Sequence, residues 1–151
     1  MTPRVRKIVV PVDFTNGSEW AASYSCALAG EMGAKVYLIH VVPRSPLRTG
    51  GGEGAGVLDR LSAEARSRLA RLAWLHPSVP VTTEVRVGAV AENITSAAVA
   101  YGADVIVMAT HRRTGLSHWL ARSITEAVSH SAPCPVLVIR ESGPLHRHTA
   151  A

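Results

Sequence analysis

Apolar residues along this chain fall into two kinds of run that take turns. Unbroken blocks rich in valine and isoleucine stand at Lys7 to Asp13 (KIVVPVD), Lys35 to Val42 (KVYLIHVV), Ala103 to Thr110 (ADVIVMAT) and Val136 to Arg140 (VLVIR). Blocks without polar alternation are the pattern of parallel strands covered on both faces. A fifth block, Val81 to Gly88 (VTTEVRVG), alternates apolar with polar positions and reads as a half-buried strand near a sheet edge. Between the blocks the spacing changes to three and four. Ala21, Ala22, Ser25, Leu28 and Ala29 trace one face of a helix with Ser18 as its expected N-cap and Gly33 as its stop. Leu58, Leu61, Ala65, Leu69 and Leu72 trace another from Val57 to Trp74, with Arg60, Glu64, Arg66, Arg68 and Arg71 on its other faces. Val90, Ile94, Ala97, Ala98 and Tyr101 mark a third that ends at Gly102, and a short fourth is expected to begin near Ser123. Strands alternating with helices specify an α/β fold, a doubly wound parallel sheet with right-handed crossovers. Residues 1–142 are read as a single domain, the proline- and glycine-rich stretch 43–56 as a flexible loop within it, and residues 143–151 as a polar C-terminal tail.

Composition narrows the classes. A chain of 151 residues with 47% hydrophobic content supplies one sizeable core. The apolar runs fall far short of the roughly 20 residues of a membrane span, and the first lacks the length and cleavage site of a secretory signal, so a cytoplasmic location is expected. Cys26 and Cys134 have neither metal-ligand spacing nor a disulfide framework around them and are read as reduced structural thiols. The net charge of +5 comes almost entirely from arginines scattered along the chain without interleaved aromatics. That pattern describes a solvated basic surface, and no nucleic-acid partner is expected.

In a doubly wound sheet the ligand crevice lies beyond the carboxyl ends of the strands, where the winding direction reverses. The candidates here are Asp13 after the first strand, Val41 at the end of the second and the loop from Ala109 after the fourth. At these places the residues themselves become distinctive. IVVPVDFTNGS, LIHVV, VRVGAVAENI and ADVIVMATHRRTGLSHWLARSITEAVSHSAPCPVLVIR together resemble the universal stress protein family, in its order and spacing, from Lys7 to Arg140. The resemblance implies a flavodoxin- or Rossmann-like five-stranded parallel sheet in the order 3-2-1-4-5 with helices on both faces, a homodimer, and a cytoplasmic role in survival under stress. The last strand, Pro135, Val136, Leu137, Val138 and Ile139, would be an unprotected apolar edge if left free, so antiparallel pairing with its two-fold mate is the expected dimer contact.

Family members that bind ATP resemble one another in a loop reading GxxG, nine residues, then Gly followed by Ser or Thr. Its glycines let backbone amides approach the phosphates. Aligned on the shared Thr-His and Thr-Gly-Leu, the glycine positions fall on Ala109, Arg112 and Arg122, and the hydroxyl position on Ser123. All of the glycines are replaced. The candidate nucleotide crevice is therefore Pro11, Val12, Asp13, Val41, Met108, Ala109, His111, Arg112, Arg122, Ser123 and Ile124, with ordinary ATP binding not expected and no cofactor required. An ATP- or AMP-binding sensor is the alternative, because an arginine can grip a phosphate bidentately where amides are lost. Asp13 suits either a hydrogen bond to a ribose or adenine edge or a cap on the loop that follows. Ser123 is expected to cap its helix with or without a phosphate. No serine stands on a nucleophile elbow, and His111, His118 and His130 lack carboxylate or cysteine partners at ligand spacing, so neither an enzyme nor a metal site is expected.

Overall fold

The computed structural model describes residues 3–44, 53–110 and 116–140. Nine elements follow in chain order: β1 (Lys7–Pro11), α1 (Asn16–Met32), β2 (Lys35–Val42), α2 (Glu53–Trp74), β3 (Val81–Val87), α3 (Val90–Tyr101), β4 (Val105–Thr110), α4 (Leu116–Ser131) and β5 (Val136–Arg140). The strands form one sheet in the order β3-β2-β1-β4-β5, and each neighbouring pair is parallel.

The doubled period of the strands divides the core into two layers. Ile8 and Val10 face one side with Val36, Leu38 and Val107, where Ala21, Ala22, Cys26 and Ala29 of α1 and Leu69 of α2 cover them. Val9 faces the other side with Tyr37, Ile39, Val41, Ile106 and Met108, under Ile94, Ala97 and Ala98 of α3 and Val128 of α4. Unbroken apolar strands are thus explained by helices on both faces. The alternating block at β3 lies at the sheet edge, where half its side chains meet water. Small residues on α1 and α3 let these helices sit close to the sheet. Both stop at a glycine in the left-handed region, Gly33 at φ 66° and Gly102 at φ 65°, the conformation that costs a side chain most. The foot of β1 is tied to β4 by Asp104, whose carboxylate accepts from the backbone N–H of Arg6 at 2.8 Å and of Lys7 at 2.9 Å.

Several boundaries differ from expectation. The N-cap of α1 is Thr15, in extended conformation, and its hydroxyl accepts from the Ser18 amide at 3.3 Å. Ser18 is already inside the helix, and its own hydroxyl donates back to the Thr15 carbonyl at 3.1 Å. In a run reading Thr-Asn-Gly-Ser two capping residues compete, and the one that closes on an amide three residues later takes the role. Helix α2 starts at Glu53, so residues 53–56 belong to it and not to the loop. Residues 45–52 of that expected loop, like the tail from 141, lie outside the described residues. Helix α4 begins at Leu116, seven residues before Ser123. Its reason is legible afterwards in Leu116, Leu120, Ile124 and Val128, four apolar residues a turn apart that outweigh one serine's capping preference. Among the described residues, no helix is long and apolar enough to cross a membrane.

Candidate functional site

The sheet reverses direction at β1, with β2 on one side and β4 on the other. The ladder continues past the end of β1, where the Val12 amide donates to the Ile39 carbonyl at 2.8 Å. Just beyond, a crevice of about 320 Å³ opens above the carboxyl ends of β1, β2 and β4. Its volume falls in the roughly 300–1,000 Å³ range of small-molecule sites. Pro11, Val12, Asp13, Val41, Met108, Ala109 and Ile124 line it, and so do Ser18, Ile39, His40, Pro43, Val90, Ile94 and Thr125.

The chemistry is an apolar slot whose lining includes a few polar residues, Asp13, Ser18, His40 and Thr125. Asp13 caps the loop that follows it and also stands in the lining of the crevice. Its Oδ1 accepts from the Thr15 amide at 3.0 Å and the Thr15 hydroxyl at 2.5 Å. The Ser18 hydroxyl accepts from the Asp13 amide at 3.2 Å, so the start of α1 holds the aspartate's backbone as well. Between Asp13 and Thr15 the chain passes through Phe14 at φ 62°, the left-handed region, among the described residues the one non-glycine found there. A bulky residue in that conformation costs about 1–2 kcal/mol, offset here by the contacts of its ring. The Phe14 ring lies 4.5 Å from that of His40 and 4.0 Å from the Arg68 guanidinium. His40 Nδ1 lies 2.6 Å from the Val12 carbonyl oxygen. A carbonyl oxygen only accepts, so the Nδ1 against it carries a proton.

Of the described residues aligned with the phosphate loop, Ala109 lines this slot, and Arg122 and Ser123 do not. Arg122 is exposed and pairs with Glu126 at 3.3 Å one turn along α4. Ser123 is also exposed, in the interior of the helix instead of at its start, so it caps nothing. Neither lines the crevice, although the next two residues, Ile124 and Thr125, do. His111 and Arg112 lie outside the described residues. The sequence reading missed Val90 and Ile94, although a pair one turn apart at the start of the helix following β3 has to face the carboxyl end of the sheet. It missed His40 because a residue between Ile39 and Val41 should point to the opposite face; at the strand's end it reaches the rim from there.

Other chemistry is sparse. Burial pushes the Cys26 thiol up to about 11. Burial, with the Asp104 carboxylate nearby, also raises that of Cys134. Neither is a ready thiolate at neutral pH. Among the described residues no three His, Cys, Asp or Glu side chains converge as metal ligands.

Fold and crevice together define a doubly wound α/β protein with its pocket at the topological switch point of the sheet. Comparison with known proteins makes this more specific. The chain matches the universal stress protein family over residues 4–140. It is 36% identical over 140 residues to a universal stress protein of Methanocaldococcus jannaschii, covering 90% of this chain and 82% of the relative. A solved structure of another universal stress protein from the same archaeon superposes with a TM-score of 0.80 at 26% identity, covering 94% of this chain and all of the other. A universal stress protein solved in complex with cAMP shares the fold at a TM-score of 0.67 and 18% identity, covering 93% of this chain and all of that one. The chain belongs to the universal stress protein family, a class of stress-response proteins.

Proposed function

We propose that this universal stress protein acts in the cytoplasm as a non-enzymatic homodimer that supports the stress response through protein partners, and that its crevice is not an ordinary ATP site. The observation that carries the nucleotide reading is the position of Ser123 and Arg122. A helix N-terminus binds phosphate through the free amides of its first turn. At Ser123 those amides are committed to a helix already two turns long, and the neighbouring Arg122 is turned to solvent with Glu126. The remaining slot has room and apolar lining for a flat group such as adenine, with no amide cradle at Ser123 for the charge beyond it. Protein purified without added nucleotide should therefore release no adenine nucleotide when denatured, as read by chromatography of the supernatant. Stoichiometric ATP or AMP in that supernatant would overturn the reading. The alternative, an ATP or AMP sensor, is favoured by one feature: Asp13, Val41, Met108, Ala109 and Ile124, drawn from separate parts of the sequence, line a single crevice.

The dimer rests on β5. Among the described residues it is an edge strand of the sheet with no further strand beside it, and its central residues Leu137 and Val138, on opposite faces, are 39% and 40% exposed. An edge of valine and leucine invites pairing with another strand, and antiparallel pairing with the same strand of a second copy closes it symmetrically. Val138→Asp should shift the protein to monomer or to insoluble material, because it sets two carboxylates against each other across the two-fold axis. An unchanged dimer in analytical ultracentrifugation would exclude this interface.

A further inference from the structure

On the opposite side of the sheet from the crevice, α2 leaves a second cavity of about 240 Å³ over the end of β2. Phe14, Val42, Leu61 and Ala65 form its apolar wall, and His40, Glu64 and Arg68 bring polar groups to it. We propose that this cavity is a second ligand site, separate from the crevice, and that it takes a small planar carboxylate of one aromatic ring.

Four observations converge on that chemistry. The volume is below that of a drug-sized pocket, so the ligand is about a single ring with a short substituent. The wall is apolar, and Phe14 contributes an aromatic ring whose position is held by the His40 ring at 4.5 Å and the Arg68 guanidinium at 4.0 Å before any ligand arrives. Among the described residues of the lining Arg68 is the one arginine or lysine, and its guanidinium carbon lies over the Phe14 ring at 4.0 Å from the centroid. A cation–π contact uses the charge of the guanidinium and not its hydrogen-bond donors, which leaves N–H groups for a carboxylate, the planar partner a guanidinium fits bidentately. Among the described residues no carboxylate comes within ion-pair distance of Arg68, although Glu64 stands one turn before it on the same helix. Glu64 is exposed, so its charge is screened by water and opposes an anion only weakly.

The two sites share a wall. His40 and Pro43 line both cavities, so a ligand under α2 would press on the same histidine that is anchored to the Val12 carbonyl at the floor of the crevice. The proposal does not depend on whether the crevice takes a nucleotide.

Benzoate is the test ligand, followed by amide chemical shifts in a titration of the full chain. Saturable shifts at Phe14, Val42, Leu61 and Ala65 with a dissociation constant of about 1 mM or below are expected for a ligand of this size. Benzamide, the same shape without the charge, should bind at least about ten-fold more weakly, a comparison made on the unmodified protein. Arg68→Met, which keeps an apolar stem beside Phe14, should weaken benzoate by a similar factor, and Glu64→Gln should tighten it about two-fold or more. Equal binding of benzoate and benzamide, no saturable shift at up to about 10 mM, or shifts centred on Val90 and Ile94 of the crevice would each overturn the proposal.

Discussion

Leu38→Ala is expected to lower the free energy of unfolding by about 3 kcal/mol, a large share of the 5–15 kcal/mol that holds a typical domain. Leu38 is fully buried in β2, paired in register with Val10 of β1 and Thr83 of β3. It sits in the layer covered by α1 and α2, among Ile8, Val36, Cys26 and Leu69. Loss of its side chain removes apolar contacts and leaves a cavity. The neighbours are mostly short or β-branched residues on paired strands, which have few rotamers with which to refill it. With a urea dependence of about 2 kcal/mol per molar, the midpoint should fall by about 1.5 M. Val99→Ala is the contrast. Val99 is 62% exposed on α3, and its truncation should stay within about 0.5 kcal/mol. A Leu38→Ala cost below about 1 kcal/mol would contradict a close-packed layer between the sheet and α1.

The parts of the fold that were legible in the sequence are those in which each residue's local preference agrees with its place in the core. β2 and β5 were read to the residue, as was α3, because their apolar pattern is bounded by charged residues, prolines or a glycine that needs a left-handed backbone. Boundaries went astray where two local signals competed. Thr15 and Ser18 can both cap a helix, and only the backbone path of Phe14, bent into the left-handed region, decides that the helix begins early enough for Thr15. At α4 the serine signal competed with an apolar stripe that began a full two turns earlier, and the stripe prevailed.

The crevice was half legible for a related reason. Its residues on strand ends, Pro11, Val12, Asp13, Val41, Met108 and Ala109, follow from the rule that pockets open where a doubly wound sheet reverses. The residues carried over from the phosphate-loop alignment depend on where α4 starts, which spacing within a motif does not encode. His40 escaped notice because alternation is a rule for strand interiors, and Phe14 and Arg68, 54 positions apart in the chain, meet only through the packing of α2 on β2. Contacts of that kind carry no periodic signal.

Restoring the glycines tests the nucleotide reading from the other side. In Ala109→Gly, Arg112→Gly, Arg122→Gly protein, calorimetry should detect ATP binding at tens to hundreds of micromolar, where the unmodified protein binds no better than about 1 mM, a gain of about 2 kcal/mol. Each change has a separate physical effect. Ala109 lines the crevice, so losing its methyl lets a phosphate approach the backbone there. Arg112→Gly removes a long side chain and its restriction on the backbone between β4 and α4. Arg122→Gly acts on the helix. Glycine costs about 1 kcal/mol in a helix interior, and the exposed Arg122–Glu126 pair it removes is worth little. The turns of α4 before Ser123 then lose support, and the helix can begin at Ser123 itself. Its hydroxyl becomes a cap, and the amides of Ile124 and Thr125, residues already lining the crevice, become free donors for a phosphate. If the arginines were instead ligands, the order would reverse. The unmodified protein would bind ATP with micromolar affinity that falls as salt rises, and Arg122→Gly alone would lose about 1.5–3 kcal/mol of it. That result would replace the nucleotide-free reading with a nucleotide sensor whose phosphate grip is built from side chains.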